Sequence, residues 1–228
     1  MSRGFRPLVL CYHAVTDGWD HALAIGPAEL ERQVQKLVGR GWRPASLADA
    51  LARGGRALHV TFDDAFRSVS RAVPALERLG VPATVFACSA YARDGRPLDV
   101  PELAADAARL PNELATMPWD DLRALAERGI EIGSHTVSHP RLTTVSDARL
   151  ERELRESREH LEDELGRPCR FLAYPYGDED GRVHAAAARA GYDAAFALPG
   201  RESPVNPFAL PRVGIYRDNS RLKVLLKT

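Results

Sequence analysis

The chain has 228 residues, a length that suits one domain, and 45% of them are hydrophobic, as in an ordinary globular protein. Lysine plus arginine and aspartate plus glutamate number 31 each, so the formal net charge is zero. Nucleic acids bind basic surfaces, and this balance therefore argues against nucleic acid as the main partner. We expect residues 1–228 to form one domain, and two small domains are the alternative.

The three cysteines, Cys11, Cys88 and Cys169, show no Cys-x-x-Cys spacing and do not indicate catalysis. Cys11 and Cys88 stand in apolar runs, where we expect small buried side chains. The apolar run at 8–11 is too short for a signal peptide or a membrane span. The sequence therefore predicts a cytoplasmic protein with no membrane span, and it leaves the oligomeric state open.

Apolar runs alternate with helical patterns along the chain. In chain order, the patterns predict a strand at 8–15, a helix at 27–41, a strand at 57–62, a helix at 69–79, a strand at 83–88, a long loop or insertion at 91–112, a helix at 118–127, a strand at 130–134, a helix at 146–165, a strand at 171–174, a helix at 181–190, and strands at 194–198 and 210–216. Strand then helix, repeated six or seven times, predicts an α/β fold whose parallel sheet has helices outside it. The count favours a (β/α) barrel, and a doubly wound open sheet is the alternative, because closure leaves no local signature.

Ligands of such sheets gather beyond the carboxyl ends of the strands, so polar residues that follow predicted strands are candidate site residues. Asp63 and Asp64 directly follow the strand at 57–62. Two adjacent carboxylates repel each other, burial makes the repulsion worse, and a cation would relieve both effects. A helix N-cap would explain one aspartate in this place. Two in a row favour a cation site.

His135 and His139 follow the strand at 130–134, and one helical turn would place both imidazoles on the same side. Neutral imidazole is a common zinc ligand. Two histidines and one aspartate leave a coordination position open for water, as catalytic zinc sites do. Two surface histidines would explain this spacing taken alone, whereas its combination with the aspartate pair favours a metal site.

These residues resemble known motifs. Residues 61–64, Thr-Phe-Asp-Asp, resemble the TFDD motif of the polysaccharide deacetylase family, also called the NodB-homology or carbohydrate esterase family 4 domain. Residues 135–139 resemble its H-[ST]-x-x-H metal motif, and 173–177, Ala-Tyr-Pro-Tyr-Gly, are similar to its third motif. The resemblance spans from residue 8 to about residue 216 and implies a distorted (β/α) barrel of about seven units.

The resemblance also implies a hydrolase that removes N- or O-acetyl groups from a carbohydrate by attack of water at a divalent metal. Asp64, His135 and His139 would bind the metal, which would be zinc, with cobalt or a similar ion as the alternative. Asp63 would be the general base. A metal lowers the pKa of a bound water from about 15.7 toward about 7, so a carboxylate can remove the proton.

The third motif would line the substrate site through Tyr174, Pro175 and Tyr176. The backbone N–H of Tyr176 would donate a hydrogen bond to the oxyanion. The alternative for Tyr174 and Tyr176 is that both are ordinary core aromatics. The Pro-Tyr-Gly turn directly after a strand favours the site.

Three features depart from the family pattern. Ala65 stands where the family commonly has glycine, which restricts the backbone there. The third motif lacks the arginine that usually pairs with the base, and Arg212 on the last predicted strand is the candidate to replace it, with a surface position as the alternative. The late Leu-x-x-His segment that supplies a catalytic histidine is absent, because no histidine follows His184.

His13 is the candidate for the acid that protonates the leaving group, because it follows the first apolar run. Some relatives in the family carry a similar Y-H-x-[VI] strand before TFDD, and a buried structural histidine is the alternative. The other histidines, at positions 21, 59, 160 and 184, show no such placement.

Three other functions remain as alternatives. One is hydrolysis of a small non-sugar amide C–N bond, as in allantoin- and imide-cleaving relatives of the fold. Another is an Fe(II) oxygenase with two histidines and one carboxylate, which the spare Asp63 disfavours. The third is a glycan-binding pseudoenzyme, which intact metal ligands disfavour.

Overall fold

The computed structural model describes residues 7–198 and 206–217. Within those ranges, no helix combines the length and the apolar character that crossing a membrane requires. The three cysteines are free thiols and all are buried, as expected for Cys11 and Cys88.

The strands are short, and most are buried, whereas those at 43–44, 210–211 and 213–214 are partly exposed. They are β1 (Leu8–Tyr12), β2 (Ala14–Val15), β3 (Ala24–Ile25), β4 (Arg43–Pro44), β5 (Ala57–Phe62), β6 (Ala83–Ala87), β7 (Glu131–Ser134), β8 (Phe171–Ala173), β9 (Ala194–Ala197), β10 (Leu210–Pro211) and β11 (Val213–Gly214). The helices lie between them and are α1 (Pro27–Gly39), α2 (Leu47–Arg53), α3 (Val73–Leu79), α4 (Ala104–Arg109), α5 (Trp119–Glu127), α6 (Asp147–Leu165) and α7 (Gly181–Arg189).

One parallel sheet runs in the order β10-β9-β8-β7-β6-β5-β1-β11, with β4 paired to the start of β5. The two ends of this order, β10 and β11, are separated in the chain by Arg212 alone. Because β10 pairs with β9 and β11 pairs with β1, the ring of strands closes at Arg212. The sheet is a nearly closed parallel barrel with helices outside it, and the predicted (β/α) barrel is confirmed.

The two faces of the sheet carry different clusters. In β6, Val85 packs in the large cluster that contains the helices, and its neighbour Phe86 packs in a separate cluster with Phe171 and Phe196. Because successive strand residues point to opposite faces, the Phe86 cluster fills the inside of the barrel. Positions of the same parity on β1, β5 and β7 therefore point inward.

Local signals set several helix ends. Ser146 accepts a hydrogen bond from the N–H of Arg149 and starts α6, and Asp180 does the same for α7. Gly80 and Gly166 end α3 and α6 in the left-handed conformation that glycine tolerates.

The structure corrects several predicted elements. The first predicted strand, 8–15, is broken at His13 into β1 and β2. The segment predicted as a loop, 91–112, contains a short 3₁₀ turn at Pro101–Leu103 and the helix α4. The helix predicted at 69–79 begins as a 3₁₀ segment, Arg67–Ala72. The short elements β3, β4 and α2 were not predicted, because two-residue strands and a seven-residue helix give little periodic signal.

Candidate active site

The inward-facing parity of three strands brings the predicted polar residues together. Thr61 points inward from β5, so Asp63, two residues later, is on the same side. On β1, Cys11 points inward, and so does His13 two residues later. His135 follows Ser134, whose hydroxyl contacts Ser157 of the outer helix α6, and so His135 faces inward. These side chains meet at the carboxyl end of the barrel, where sequence analysis placed the site.

Asp64, His135 and His139 converge in a buried cluster. The Oδ1 atom of Asp64 lies 3.4 Å from Nε2 of His135 and 3.3 Å from Nε2 of His139. The Nδ1–H of His135 donates to the carbonyl of Ala173 at 2.8 Å, which leaves the Nε2 lone pair of the neutral ring free. The buried Oδ1 of Asp64 has no hydrogen-bond partner among the described residues.

This geometry fits a tetrahedral metal ion. Ligands at about 2.0–2.1 Å from zinc lie about 3.3–3.4 Å apart when the coordination is tetrahedral. The two distances to Asp64 Oδ1 match that spacing. They are longer than a charged hydrogen bond, which is usually about 2.7–2.9 Å long. The residues present therefore fit a divalent ion held by one carboxylate and two imidazoles.

The backbone around the cluster is unusual. The non-glycine residues with left-handed φ among those described are Asp64 (67°), Ala65 (49°), Thr136 (73°), His139 (61°) and Tyr176 (61°). Such conformations cost free energy and are concentrated at functional sites. The helical turn expected for 135–139 is absent, because Thr136 and His139 both adopt left-handed φ; the imidazoles converge through tight turns. Ala65 takes the conformation that glycine would adopt without strain.

Asp63 forms a buried ion pair with Arg212. Nη1 and Nη2 of Arg212 donate to Oδ1 and Oδ2 of Asp63 at 2.6 Å and 2.8 Å. The Arg212 side chain is fully buried over the rings of Phe86 and Phe196, and Nη1 also donates to the Thr61 hydroxyl at 3.2 Å. The sequence left two positions open for Arg212, inside the barrel beside Asp63 or on the surface. In the structure its side chain lies inside.

Burial and charge act in opposite directions on this carboxylate. Burial by itself raises the pKa of Asp63, but the positive charge of Arg212, with contributions from His135 and His13, lowers that pKa to about 2. Burial likewise opposes ionisation of Asp64, whose pKa is nevertheless held well below its usual value by His135 and His139. Both carboxylates are therefore ionised at neutral pH.

The lowered pKa of Asp63 predicts a pH-dependent stability in the metal-free protein. Because the pKa is lower in the folded chain, at about 2 against a reference value of 3.8, the ionised group stabilises the fold. This contribution, about 2 kcal/mol, is complete above the reference pKa and is lost as the pH falls through the folded pKa. Urea unfolding between about pH 5 and pH 2 measures it. Asp63→Asn should flatten the pH dependence, and equal slopes in both proteins would contradict the prediction.

His13 stands next to Asp63. Its ring nitrogen, a carboxylate oxygen of Asp63 and the sulfur of Cys11 all lie within 4.8 Å of one another. The Cys11 thiol donates to Oδ2 of Asp63 at 3.4 Å, and the His13 ring stacks on Tyr216 with centroids 6.1 Å apart. Burial lowers the pKa of His13, against the opposing charges of Asp64 and Asp63, so the protonated ring is a stronger acid than free histidine.

These residues line a cleft with a volume of about 360 Å³. The polar lining consists of His13, Asp63, Asp64, His135 and His139, together with residues of the surrounding loops. The cleft is also lined by aliphatic side chains, among them those of Leu23, Leu98, Val100, Leu103 and Leu198. Gly177 also lines the cleft, and only glycine fits there, since a Cβ would lie 1.8 Å from the carbonyl oxygen of Leu198.

Arg141 joins two loops at the cleft rim. Its guanidinium lies 3.8 Å from the centroid of the Tyr176 ring and pairs with Asp178 at 2.9 Å. It also approaches Glu102 of the 91–112 segment at 3.7 Å. The Tyr176 ring also meets the His139 ring edge to face, with centroids 4.7 Å apart. Arg141 therefore fixes the turn that carries Tyr176 relative to the loop that carries the histidines.

The third motif divides between the cleft and the core. Tyr176 and Gly177 line the cleft, whereas Tyr174 is fully buried and its hydroxyl donates to the Phe208 carbonyl at 2.9 Å. Tyr174 is a core aromatic, and Pro175 is buried beside it. Neither of these two residues lines the cleft that was expected to hold the substrate.

Several cleft residues were not predicted. His21 lines the cleft and stacks on Trp19 with centroids 4.5 Å apart, although the sequence showed no strand before it. Glu102 and Arg141 also line it. His21 and Arg141 lie on loops and Glu102 lies in the 3₁₀ turn Pro101–Leu103. The course of these segments depends on distant contacts, and the one usable signal was the position of Arg141 two residues after His139.

Known proteins resemble this chain in sequence and in fold. Residues 51–195 match the family model described as polysaccharide deacetylase. YxkH of Bacillus subtilis, whose name places it among polysaccharide deacetylases, is 22% identical over 192 residues, which are 81% of this chain and 61% of YxkH, so the match spans less than two thirds of that relative.

Two solved structures resemble the chain along almost their whole length. The deacetylase PplD of Streptococcus pyogenes, in complex with acetate, has a TM-score of 0.78 and 21% identity, and the match covers 99% of this chain and 98% of PplD. IcaB of Ammonifex degensii has a TM-score of 0.79 and 22% identity, with coverage of 98% and 97%. These similarities establish the barrel fold.

Proposed function

The chain belongs to the polysaccharide deacetylase family, and from this premise we propose that it is a metal-dependent hydrolase that removes N- or O-acetyl groups from a carbohydrate. The observation that carries the proposal is the pairing of two buried carboxylates with different partners. Asp64 meets two imidazoles at metal-ligand spacing, and the adjacent Asp63 meets Arg212. One carboxylate is thus suited to hold an ion and the other to move a proton.

In this proposal Asp64, His135 and His139 hold a divalent ion, zinc or a similar metal. The bound ion would supply Lewis-acid activation of the water and of the acetyl carbonyl. The remaining steps belong to side chains and backbone of this chain, which bind, orient and transfer protons.

Asp63 is the proposed general base. Its two oxygens already accept hydrogen bonds from Arg212, which keeps the carboxylate ionised and fixes its orientation. The carboxylate accepts the proton of the attacking water, and the Tyr176 backbone N–H stabilises the developing oxyanion. Arg141 positions that N–H by stacking on the Tyr176 ring.

His13 is the proposed acid that protonates the departing group. We expect His13→Ala to slow release from an N-acetyl sugar by about 10²-fold or more, because an amine leaves only when protonated. Release from a chromogenic acetyl ester should fall much less, since a phenolate leaves without a proton. His21→Ala, which removes another cleft imidazole, is the matched control and should affect both substrates alike. An equal loss on both substrates in His13→Ala would remove His13 from this role.

A second candidate is hydrolysis of a small non-sugar amide. The cleft presents Tyr176, Tyr216 and Arg141, and such groups suit a planar substrate. Against this candidate, Arg141 is already paired with Asp178 and Glu102. The aliphatic wall suits the methyl group and the apolar face of an acetylated sugar.

The proposed function is tested with a substrate panel, by acetate release for the acetylated compounds and by ring opening for the imide. The panel contains acetylated mono- and oligosaccharides with N-linked or O-linked acetyl groups, a chromogenic acetyl ester and a cyclic imide. We expect acetate from acetylated sugars after zinc or cobalt is added to metal-stripped protein. Opening of the imide alone would establish the second candidate. Metal binding with no turnover of any substrate would point to a glycan-binding pseudoenzyme and contradict the proposal.

A further inference from the structure

A second concavity lies outside the barrel, between α5 and the C-terminal part of α6. Its volume is about 510 Å³, whereas that of the cleft is about 360 Å³. None of the proposed metal-binding residues lines it. The side chains around it are those of Ser89, Arg93, Trp119, His160, Asp163 and Glu164. Its size and position make it a separate pocket with its own chemistry.

The pocket combines an aromatic ring with several groups that form hydrogen bonds. Trp119 is half-buried against the main core at the first residue of α5. Ser89 is only 2% exposed, and its hydroxyl bonds to Nδ1 of His160 at 3.1 Å, which fixes the imidazole at the wall. An apolar ring face beside a few oriented polar groups is the typical composition of a small-molecule site.

Two charged side chains at this pocket have no partner among the residues that the structure describes. Within the described ranges, the side chains of Arg93 and Asp163 make no ion pair or hydrogen bond, whereas Glu164 pairs with Arg123 at 2.8 Å. A guanidinium and a carboxylate beside an indole offer donors and acceptors to hydroxyl groups, and the carboxylate also attracts an ammonium group. This set of groups complements a pyranose ring, which has an apolar face and an equatorial rim of hydroxyl or amino groups.

The floor of the pocket is the back of the loop that carries the metal-site histidines. The N–H groups of Ser89 and Ala90 donate to the carbonyls of Thr136 and Val137 at 3.2 Å and 3.0 Å. The hydroxyl of Thr136 in turn accepts from the N–H of His139 at 3.0 Å. Val137 lines the pocket while His135 and His139 line the cleft, so neighbouring residues of one loop contribute to both sites.

We propose that this pocket is a second glycan-binding site that takes one hexosamine unit, acetylated or free, stacked on Trp119 and held by Arg93 and Asp163. The ligand class rests on the proposed function, which makes a glycan the substrate. A second site would raise the affinity for long chains by holding them near the cleft.

The test follows the indole N–H signals of Trp19, Trp42 and Trp119 by NMR in metal-stripped protein. The signals are assigned with single Trp→Phe variants, and the probes are an N-acetylglucosamine tetramer and its fully deacetylated form. Trp119 should show a saturable shift, while Trp42, another half-buried tryptophan on the same core, should not move. Arg93→Ala and Asp163→Ala should each weaken binding about tenfold, the loss expected for hydrogen bonds to a charged group.

The outcomes separate the two proposals, because Trp19 stacks on His21 and so reports on the cleft. A shift of Trp19 alone would place the glycan in the cleft only and overturn the second site. An unmoved Trp119, or a Trp119 shift with the same affinity in both variants, would also overturn it. A Trp119 shift weakened by both variants in a protein that releases no acetate would support the second site while the deacetylase proposal fails.

Discussion

Replacing Asp63 with asparagine is expected to slow acetate release by about 10²- to 10⁴-fold, the contribution typical of a general base. The amide has the shape of the carboxylate but cannot accept a proton from water. Metal affinity should stay near that of the unsubstituted protein, because Asp64, His135 and His139 remain in place. Steady-state rates and metal titration of the same samples measure both quantities.

The matched control is Asp193→Asn, which makes the same change in an exposed ion pair with Arg170 outside the cleft. This control should leave the rate unchanged. A loss of metal binding in Asp63→Asn would mean that Asp63 is a ligand. Turnover within a few-fold of the unsubstituted protein would exclude Asp63 as the base.

Replacing Arg212 with methionine is expected to destabilise the fold by about 3–5 kcal/mol, because it leaves the Asp63 carboxylate buried without its partner. The substitution also removes the charge that lowers the pKa of Asp63, so that burial raises this pKa and the base becomes protonated nearer neutral pH. As the pH is lowered, activity should therefore begin to fall at a higher pH than in the unsubstituted protein. Urea unfolding and a pH–rate profile measure the two effects.

A double variant distinguishes the lost ion pair from lost packing. Replacing both members, as in Asp63→Leu with Arg212→Met, removes the unpaired charge and should restore part of the stability lost in Arg212→Met. If the double variant is destabilised by the sum of the two single changes, the pair does not couple, and the stability of the barrel closure must come from backbone pairing alone.

The positions of the site residues could be predicted because they depend on strand periodicity. Asp63 and His135 each lie two residues after an inward-facing strand position, so the pattern of buried strands was enough to bring them to one end of the sheet. Asp64, His135 and His139 were predicted as metal ligands from residue type, spacing and the family resemblance, and this role stays a prediction. Their local conformation was not predicted, since the left-handed φ of Thr136 and His139 has no signal in those residue types.

Contacts between distant segments could not be predicted from the sequence. The position of Arg212 depends on closure of the barrel, which pairs β11 with β1 across about two hundred residues of chain. His21 and Arg141 reach the cleft on loops held by tertiary contacts, such as the pairing of Arg141 with Asp178. Tyr174 was ambiguous because a tyrosine at a strand end fits a site or a core equally well, and its hydrogen bond to Phe208 decides for the core.

Metal titration of stripped protein with acetate release as the readout tests the central claim most directly. As zinc or cobalt is added, the rate should rise in proportion to the metal and level off at one equivalent. His139→Ala should show no such rise, whereas His184→Ala, which removes an imidazole outside both the cleft and the second pocket, should follow the unsubstituted protein. Full acetate release without metal, or a rise in His139→Ala equal to that of the unsubstituted protein, would contradict the account.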